Sequence, residues 1–318
     1  MKIHQIKTFV QLAESGSIRA AARDMHISQS ALTRNVKELE EEVGAELVNR
    51  SYRGIEFTPS GLAMLSRARN ILANIDRAKD EIQQIQGGAG AKVTVGLTPV
   101  LTSSLLAPVY ASFSHALPKA QLTFNEGLLT EIVPKLIEGS LDFGVAIAAA
   151  SDLPTELTFE PLCQVKIMPA MRLEHPAAGL TDWESLLKQD WILNQSLGSS
   201  SNVFLQWLEE VGLPAPRRII QCTSPFLMLE MIRRTDLIGL GPARLFADPM
   251  TGIGIENVSP DRSLPKATLG IIRVRGLALT PAADRLEAMI KKAITTGDGE
   301  ELETGMPCLP KSKGVNRA

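Results

Sequence analysis

Between Ser17 and Thr58 the chain reads SIRAAARDMHISQSALTRNVKELEEEVGAELVNRSYRGIEFT, and this stretch narrows the accessible folds more than any other. Ser17 is placed to cap a short helix whose Ala20, Ala21 and Ala22 are small enough to let a second helix cross close by. That helix is expected to end near Met25, with His26-Ile27 as the turn and Ser28 as the next N-cap. From there Ala31, Leu32, Val36, Leu39 and Val43 recur at helical spacing, which leaves Gln29, Ser30, Thr33, Arg34 and Lys37 on the other face. Leu47-Val48 and Ile55 to Phe57 then flank a Ser-Tyr-Arg-Gly turn. The pattern predicts a helix-turn-helix followed by a basic two-stranded wing.

The residue types on the polar face suit a DNA groove. A helix in the major groove reads base edges through short donors and acceptors near its N-terminus, Gln matching adenine, Arg guanine, and Ser or Thr either. Ser28, Gln29, Ser30, Thr33, Arg34 and Lys37 answer that description, while Arg50 and Arg53 put cations at the hairpin, within reach of phosphates or a narrow minor groove. The competing reading is a small helical domain whose polar face is merely solvated. It explains any one of these residues alone but not their ordered combination.

The same residues carry a resemblance. Phe9, Gly16-Ser17, the alanine run, Ser28-Gln29, Ala31-Leu32, Leu39-Glu40, Leu47 with Arg50, and Thr58-Pro59-Ser60-Gly61 resemble the DNA-binding domain of LysR-type transcriptional regulators, and the likeness extends over the whole chain. Ser30 departs from the pattern, standing where the family usually carries Pro. It gives up a preset backbone angle and adds a possible DNA donor. The resemblance implies an α+β multidomain fold: a winged helix-turn-helix, a long linker helix, and a two-lobed α/β effector domain like that of periplasmic binding proteins. It implies promoter DNA, a small-molecule inducer, RNA polymerase and a second copy of the chain as partners. LIEGSLDFGVAIAAASDLPTELTFEPL and LTPAADRL most resemble a branch that includes an aromatic-sulfonate regulator.

Charge complicates the DNA reading. Residues 1–58 hold eight Lys or Arg and eight acids, so their net charge is zero, and the 318-residue chain carries −2. What favours DNA is segregation: Arg34, Lys37, Arg50 and Arg53 belong to the groove side, whereas Glu38 and the Glu40 to Glu42 run are expected at the far end of the helix. Salt-dependent binding that relies on dimerisation is the expected consequence.

With 44% hydrophobic and 21% charged residues the composition is that of a soluble globular protein of two or three domains. The N-terminal MKIHQIKTFVQLAESGS lacks the apolar core and cleavage site of a signal peptide, and no apolar run approaches the roughly 18–20 residues that span a membrane. A cytoplasmic protein without membrane contact is expected. Cys163, Cys222 and Cys308 lack metal-ligand spacing, so buried thiols are the simplest reading; a redox pair of Cys163 with Cys222 is the alternative that the family resemblance implies. No cofactor is expected. Neither a nucleophile elbow, a phosphate loop nor a paired metal motif is present, which argues against an enzyme.

Thr58 and Pro59 suit the start of a helix running to the glycines at Gly87, Gly88 and Gly90. Within it Leu65, Ala68, Leu72, Ile75 and Ile82 fall on a three-four alternation broken by Lys79. Leu65, Leu72, Ile75 and Ile82 are therefore expected in a dimer seam, the alternative being that the stripe packs on its own domain. Such pairing would produce a homodimer or homotetramer that sets two recognition helices on two half-sites.

Beyond Gly90 strands and helices alternate: 92–97, a helix 103–116, 121–125, a helix 130–138 and 142–148, which implies a parallel sheet covered on both faces. A second set has strands near 165–171, 191–194, 218–222 and 237–240, and 266–273 with the helix 281–295 returns to the first. The expected domains are 1–58, the linker 59–89, lobe I from 90–160 plus 265–296, lobe II from 161–264, and a disordered tail 297–318. A ligand belongs in the cleft, at strand ends and helix starts. Thr98, Thr102 and Ser103, Ser196, Ser199 and Ser200, and Thr223 and Ser224 cluster there, with Phe226 and Met228 as apolar contacts. Backbone N–H groups at those helix starts favour a small organic acid, aromatic acids included. The bland alternative is that these hydroxyls only cap helices.

Overall fold

The computed structural model describes residues 1–51, 54–86, 90–101, 105–196 and 198–295, with only the backbone of residues 50, 51 and 54. The chain divides into two compact units, Met1–Ala91 with Pro134–Asp142, and Lys92–Val133 with the remainder from Phe143 onward.

In the first unit α1 (Ile3–Ser15), α2 (Ile18–Asp24) and α3 (Gln29–Val43) precede a hairpin of β1 (Val48–Ser51) and β2 (Gly54–Phe57), and α4 (Pro59–Ile85) follows. The caps act as the residue types require: Ser17 Oγ accepts from Ala20 N, Ser28 Oγ from Ala31 N and Thr58 Oγ1 from Gly61 N. Between α2 and α3 His26 takes a left-handed conformation (φ 55°), which turns the chain within two residues. Ala21, Ala22, Leu12, Leu32 and Val36 close one core where α1, α2 and α3 meet, as small residues at a crossing allow. Ile6, Phe9, Val10, Leu39, Leu47, Leu65 and Ala68 form the other, which welds the start of α4 to the winged domain.

The wing is held by Glu40, which the sequence marked only as part of the family pattern and of an acidic run. Glu40 Oε1 accepts from both Leu47 N (2.8 Å) and Val48 N (3.1 Å), anchoring β1 to α3. The Thr58-Pro59-Ser60-Gly61 step has an equally local cause. Thr58 Oγ1 donates to Glu46 O at 2.7 Å, and a Cβ at Gly61 would lie 1.9 Å from Leu47 O, so only glycine lets α4 begin there.

Two sequence expectations about α4 change. Leu65 is 8% exposed and belongs to its own domain's core, with Leu72 packed against the same cluster, so these two are not free seam residues. Burial of Ile6, Phe9 and Leu39 needs a cover, and α4 provides it. Ile75 is half-buried, and the apolar side chains left to solvent are Leu62, Ile82 (55% exposed) and Ile85.

Further along, α4 is tied to residues 137–142 of the same unit. Arg77 Nη2 donates to Gly139 O (2.9 Å) and Leu141 O (2.7 Å), its Nε meets Asp142 Oδ1 at 3.2 Å, and Asn70 Nδ2 donates to Ile137 O at 2.8 Å. Gly139 is left-handed (φ 80°), and its α-hydrogens lie where a Cβ would come within 2.7 Å of Ala73 Cβ.

The second unit contains two five-stranded sheets. Its elements are β3 (Lys92–Leu97), α5 (Leu106–Ala116), β4 (Gln121–Glu126), α6 (Leu129–Ile137, whose end belongs to the first unit), β5 (Phe143–Ile147), β6 (Leu157–Val165), β7 (Ile167–Arg172), α7 (Trp183–Leu186), β8 (Asp190–Leu193), α8 (Ser200–Glu210), β9 (Arg218–Gln221), α9 (Pro225–Arg234), β10 (Leu237–Pro242), α10 (Ala243–Ala247), β11 (Ile255–Asn257), β12 (Ala267–Val274) and α11 (Pro281–Thr295). The sheet orders are β4-β3-β5-β12-β6 and β11-β7-β10-β8-β9.

The purely parallel sheet expected from alternation is corrected. β4, β3 and β5 are parallel, but β12 runs antiparallel to β5 and β6, and β7 antiparallel to β10 and β11. The antiparallel strands flank the places where the chain passes from one sheet to the other, β6 to β7 and β11 to β12. The lobe boundary moves accordingly: β6 pairs with β12 up to Val165, so the first sheet extends past residue 160. Trp191, Phe204 and Trp207 all pack against Trp183 in the second lobe, with Trp191 Nε1 donating to Leu186 O and Trp183 Nε1 to Arg262 O.

A charged cluster joins β6, β12 and α11. Glu160 Oε2 accepts from Lys291 Nζ and Arg273 Nη2, each at 2.8 Å, and Arg273 Nε donates to the buried Glu287. The Lys291 hydrogen bond, against partial desolvation and assisted by Arg273, holds the Glu160 carboxyl below its ordinary range.

Candidate nucleic-acid interface and ligand cleft

The cap at Ser28 orients α3 so that its apolar face is spent on Leu32, Val36 and Leu39, and the opposite face is open. Ser28, Gln29, Ser30, Arg34 and Lys37 are exposed and Thr33 is half-buried, so the structure brings the helix candidates onto one surface. The hydroxyls of Ser28 and Ser30 lie 2.9 Å apart. One hydrogen is used in that pair and the other remains available to a phosphate or base. Arg50 lies on β1 opposite Ile55, its side chain outside the described residues, as is Arg53.

The expected charge segregation is incomplete. Glu38 and Glu41 share a shallow groove with Gln29, Ser30, Thr33, Arg34 and Lys37, because positions four and seven residues after Arg34 return to the same helix face. Gln5 Nε2 donates to Glu38 Oε2 at 3.0 Å and turns part of that charge toward α1.

Between the two sheets of the second unit lies a cleft of about 90 Å³. Thr98, Ser199 and Ser200 line it, as does Met228. Thr102 and Ser103 lie outside the described residues. Ser196, Thr223, Ser224 and Phe226 are not part of the wall: Ser224 Oγ caps α9 through Leu227 N, Thr223 O accepts from Asn194, and Phe226 is 69% exposed. For Ser224 capping was therefore the correct alternative. Helix periodicity turns Met228 inward and Phe226 outward.

Sequence reasoning missed most of the wall. Val100, Leu128, Ile147, Ile232, Leu240, Leu245 and Phe246 make it apolar, and none of its described residues is ionisable. Nothing marks them in the sequence, since they also look like ordinary core residues. Asn194 at the end of β8 was overlooked too; its Nδ2 donates to Thr223 O and its Oδ1 accepts from Ser196 N. Ser199 differs from the other hydroxyls. It holds the N-cap position of α8 without making the side-chain cap bond, and its Oγ is buried with no hydrogen-bond partner.

Cys163 on β6 and Cys222, which follows β9, are half-buried thiols and are not joined in a disulfide, so the alternative redox pair is not formed here; Cys308 and the tail 297–318 lie outside the described residues. Among the described residues no group of three or more His, Cys, Asp or Glu is placed to hold a metal, and no helix is long and apolar enough to cross a membrane.

Comparison with known proteins agrees with this architecture. Residues 3–62 match the family described as bacterial regulatory helix-turn-helix protein, lysR family, and residues 86–295 match the LysR substrate binding domain. The regulator TdcA of Escherichia coli K12 is 24% identical over 92% of this chain and 93% of its own length, and GbpR of Azospirillum brasilense is 27% identical over 96% and 91%. In fold the chain is similar to full-length CbnR in complex with its target DNA (TM-score 0.65, 22% identity, 92% of this chain and 100% of that one). ArgP from Mycobacterium tuberculosis gives a TM-score of 0.68 at 18% identity, over 92% and 97% of the two chains.

Proposed function

The chain belongs to the LysR family of DNA-binding transcriptional regulators, and on that premise we propose that it binds promoter half-sites as a dimer or tetramer and changes transcription when a small organic, anionic effector enters the interlobe cleft. The observation that carries the reading is the cleft itself. It is apolar, flanked by the start of α8, and built on the same chain as an exposed α3 face rich in DNA-type donors. Ligand binding biases lobe closure, and the lobes of neighbouring copies repack. The spacing of paired DNA domains then shifts, together with their contact to RNA polymerase.

Gln29, Thr33 and Arg34 read bases in this scheme, whereas Ser28, Ser30, Lys37, Arg50 and Arg53 position the backbone. Selection of genomic fragments with the full chain, followed by footprinting, tests it. Arg34→Ala is expected to relax base preference, and Arg53→Ala to weaken binding to all sequences while lowering the salt slope. Specific binding that survives deletion of residues 1–58 overturns the DNA assignment, and a footprint and DNA bend unchanged by saturating inducer overturn the switching mechanism.

A further inference from the structure

Resting on the cleft reading above, we infer that the effector is a short aliphatic monocarboxylate without an amino group, and that Ser199 is the residue selecting its head. Ser199 is 5% exposed, lines the cleft and leaves its Oγ without a protein partner. A hydroxyl at an N-cap ordinarily accepts from the helix amides; here that bond is absent, so the oxygen and its hydrogen are both uncommitted. Beside it, Ser200 and Ser201 occupy the first two positions of α8, whose amides have no acceptor within the helix, and both residues line the same wall. Donors therefore converge at one end of an apolar cavity, which calls for an acceptor head, and the helix dipole favours a negative one.

What the wall lacks defines the rest of the ligand. With no Asp or Glu among its described residues an ammonium group would be buried unpaired. A second carboxylate would have to sit among Val100, Ile147, Ile232 and Leu245, and Asn194, whose neutral amide already gives one N–H to Thr223 O and one lone pair to Ser196 N, brings no charge to offset either group. The cavity of about 90 Å³ is smaller than the ~150 Å³ apolar cavity that admits benzene, so a short branched chain suits it better than the aromatic ring considered from sequence.

The test is titration calorimetry on the full chain with isovalerate, isovaleramide, leucine, glutarate and benzoate. Isovalerate is expected to bind, the other four to bind roughly tenfold more weakly or worse, as for the loss of one charge-assisted hydrogen bond or the burial of an unpaired group. Ser199→Ala is expected to cost isovalerate a similar factor while raising the melting temperature of the ligand-free protein, because it removes a buried unpartnered hydroxyl; a merely structural serine would lower it. The inference falls if the amide binds as well as the acid, if leucine, glutarate or benzoate binds more tightly, if Ser199→Ala leaves affinity unchanged, or if no compound binds. Leu245→Phe, which narrows the cleft, separates the two levels. Binding of any of these compounds that persists in this variant refutes the cleft as the ligand site; binding that it abolishes, with amide equal to acid, refutes only the head-group assignment.

Discussion

Single residues in this protein matter where backbone comes too close for a side chain or where a charge depends on one partner set. Gly61 is of the first kind. Because its Cβ would meet a carbonyl rather than the end of a flexible side chain, Gly61→Ala has to move α4 or β1, and a loss of about 1–3 kcal/mol is expected in urea unfolding. Glu160 is of the second kind. Its folded-state pKa is depressed, so its contribution is present above the ordinary carboxylate range and is lost as pH falls through the lowered value. Glu160→Gln should therefore lower the urea midpoint at pH 7, with a cost of about 1 kcal/mol or less since the carboxylate is partly exposed, and the deficit should shrink at a pH well below the ordinary carboxylate range. An equal deficit at both pH values would show that packing, not charge, is responsible.

At the scale of elements, the informative comparison is between α3 and α4. Both were legible as helices from caps and periodicity, and α3 buries the face its pattern indicates. For α4 the pattern identified an apolar stripe but not its partner: Leu65 and Leu72 turn to Phe9 and Leu39 of their own domain, and a heptad-like spacing cannot distinguish an internal cover from an intermolecular seam. Nor did the sequence show that Arg77, in the C-terminal third of α4, is a clamp. With side-chain exposures of 14% and 12% the Arg77–Asp142 pair is largely desolvated, and the guanidinium also binds two carbonyls. Arg77→Ala removes the clamp on the Gly139 and Leu141 carbonyls and the guanidinium beside Asp142, and a destabilisation of about 2–4 kcal/mol is expected from chemical denaturation. A change under 1 kcal/mol would mean that water replaces the clamp at no cost.

For the whole molecule, the proposed pairing of two copies would supply what one copy lacks. Zero net charge over residues 1–58, with Glu38 and Glu41 on the same groove as Arg34 and Lys37, leaves a single domain little electrostatic attraction for DNA. The solvent-facing Leu62, Ile82 and Ile85 offer the apolar surface through which two copies can pair. Ile82→Glu is expected to shift sedimentation toward monomer and to weaken specific DNA binding by roughly tenfold or more through lost bivalency, while the melting temperature hardly changes. Unaltered sedimentation would place the seam elsewhere.

What the sequence alone determined here is local: caps, turn chemistry and helical period act within a few residues, so the helix-turn-helix, the exposed polar face of α3 and the alternating elements behind it could all be read from spacing. What the tertiary structure decided is which surfaces meet. The antiparallel pairing of β12 with β5 and β6 and of β7 with β10 and β11, the inward turn of Leu65, the apolar wall gathered from residues 98 to 246 and the buried, unpartnered hydroxyl of Ser199 arise from contacts between distant segments. A buried leucine and a capping serine have the same local signature wherever they lie, and only packing shows whether each is filling a core, covering a neighbour or waiting for a ligand.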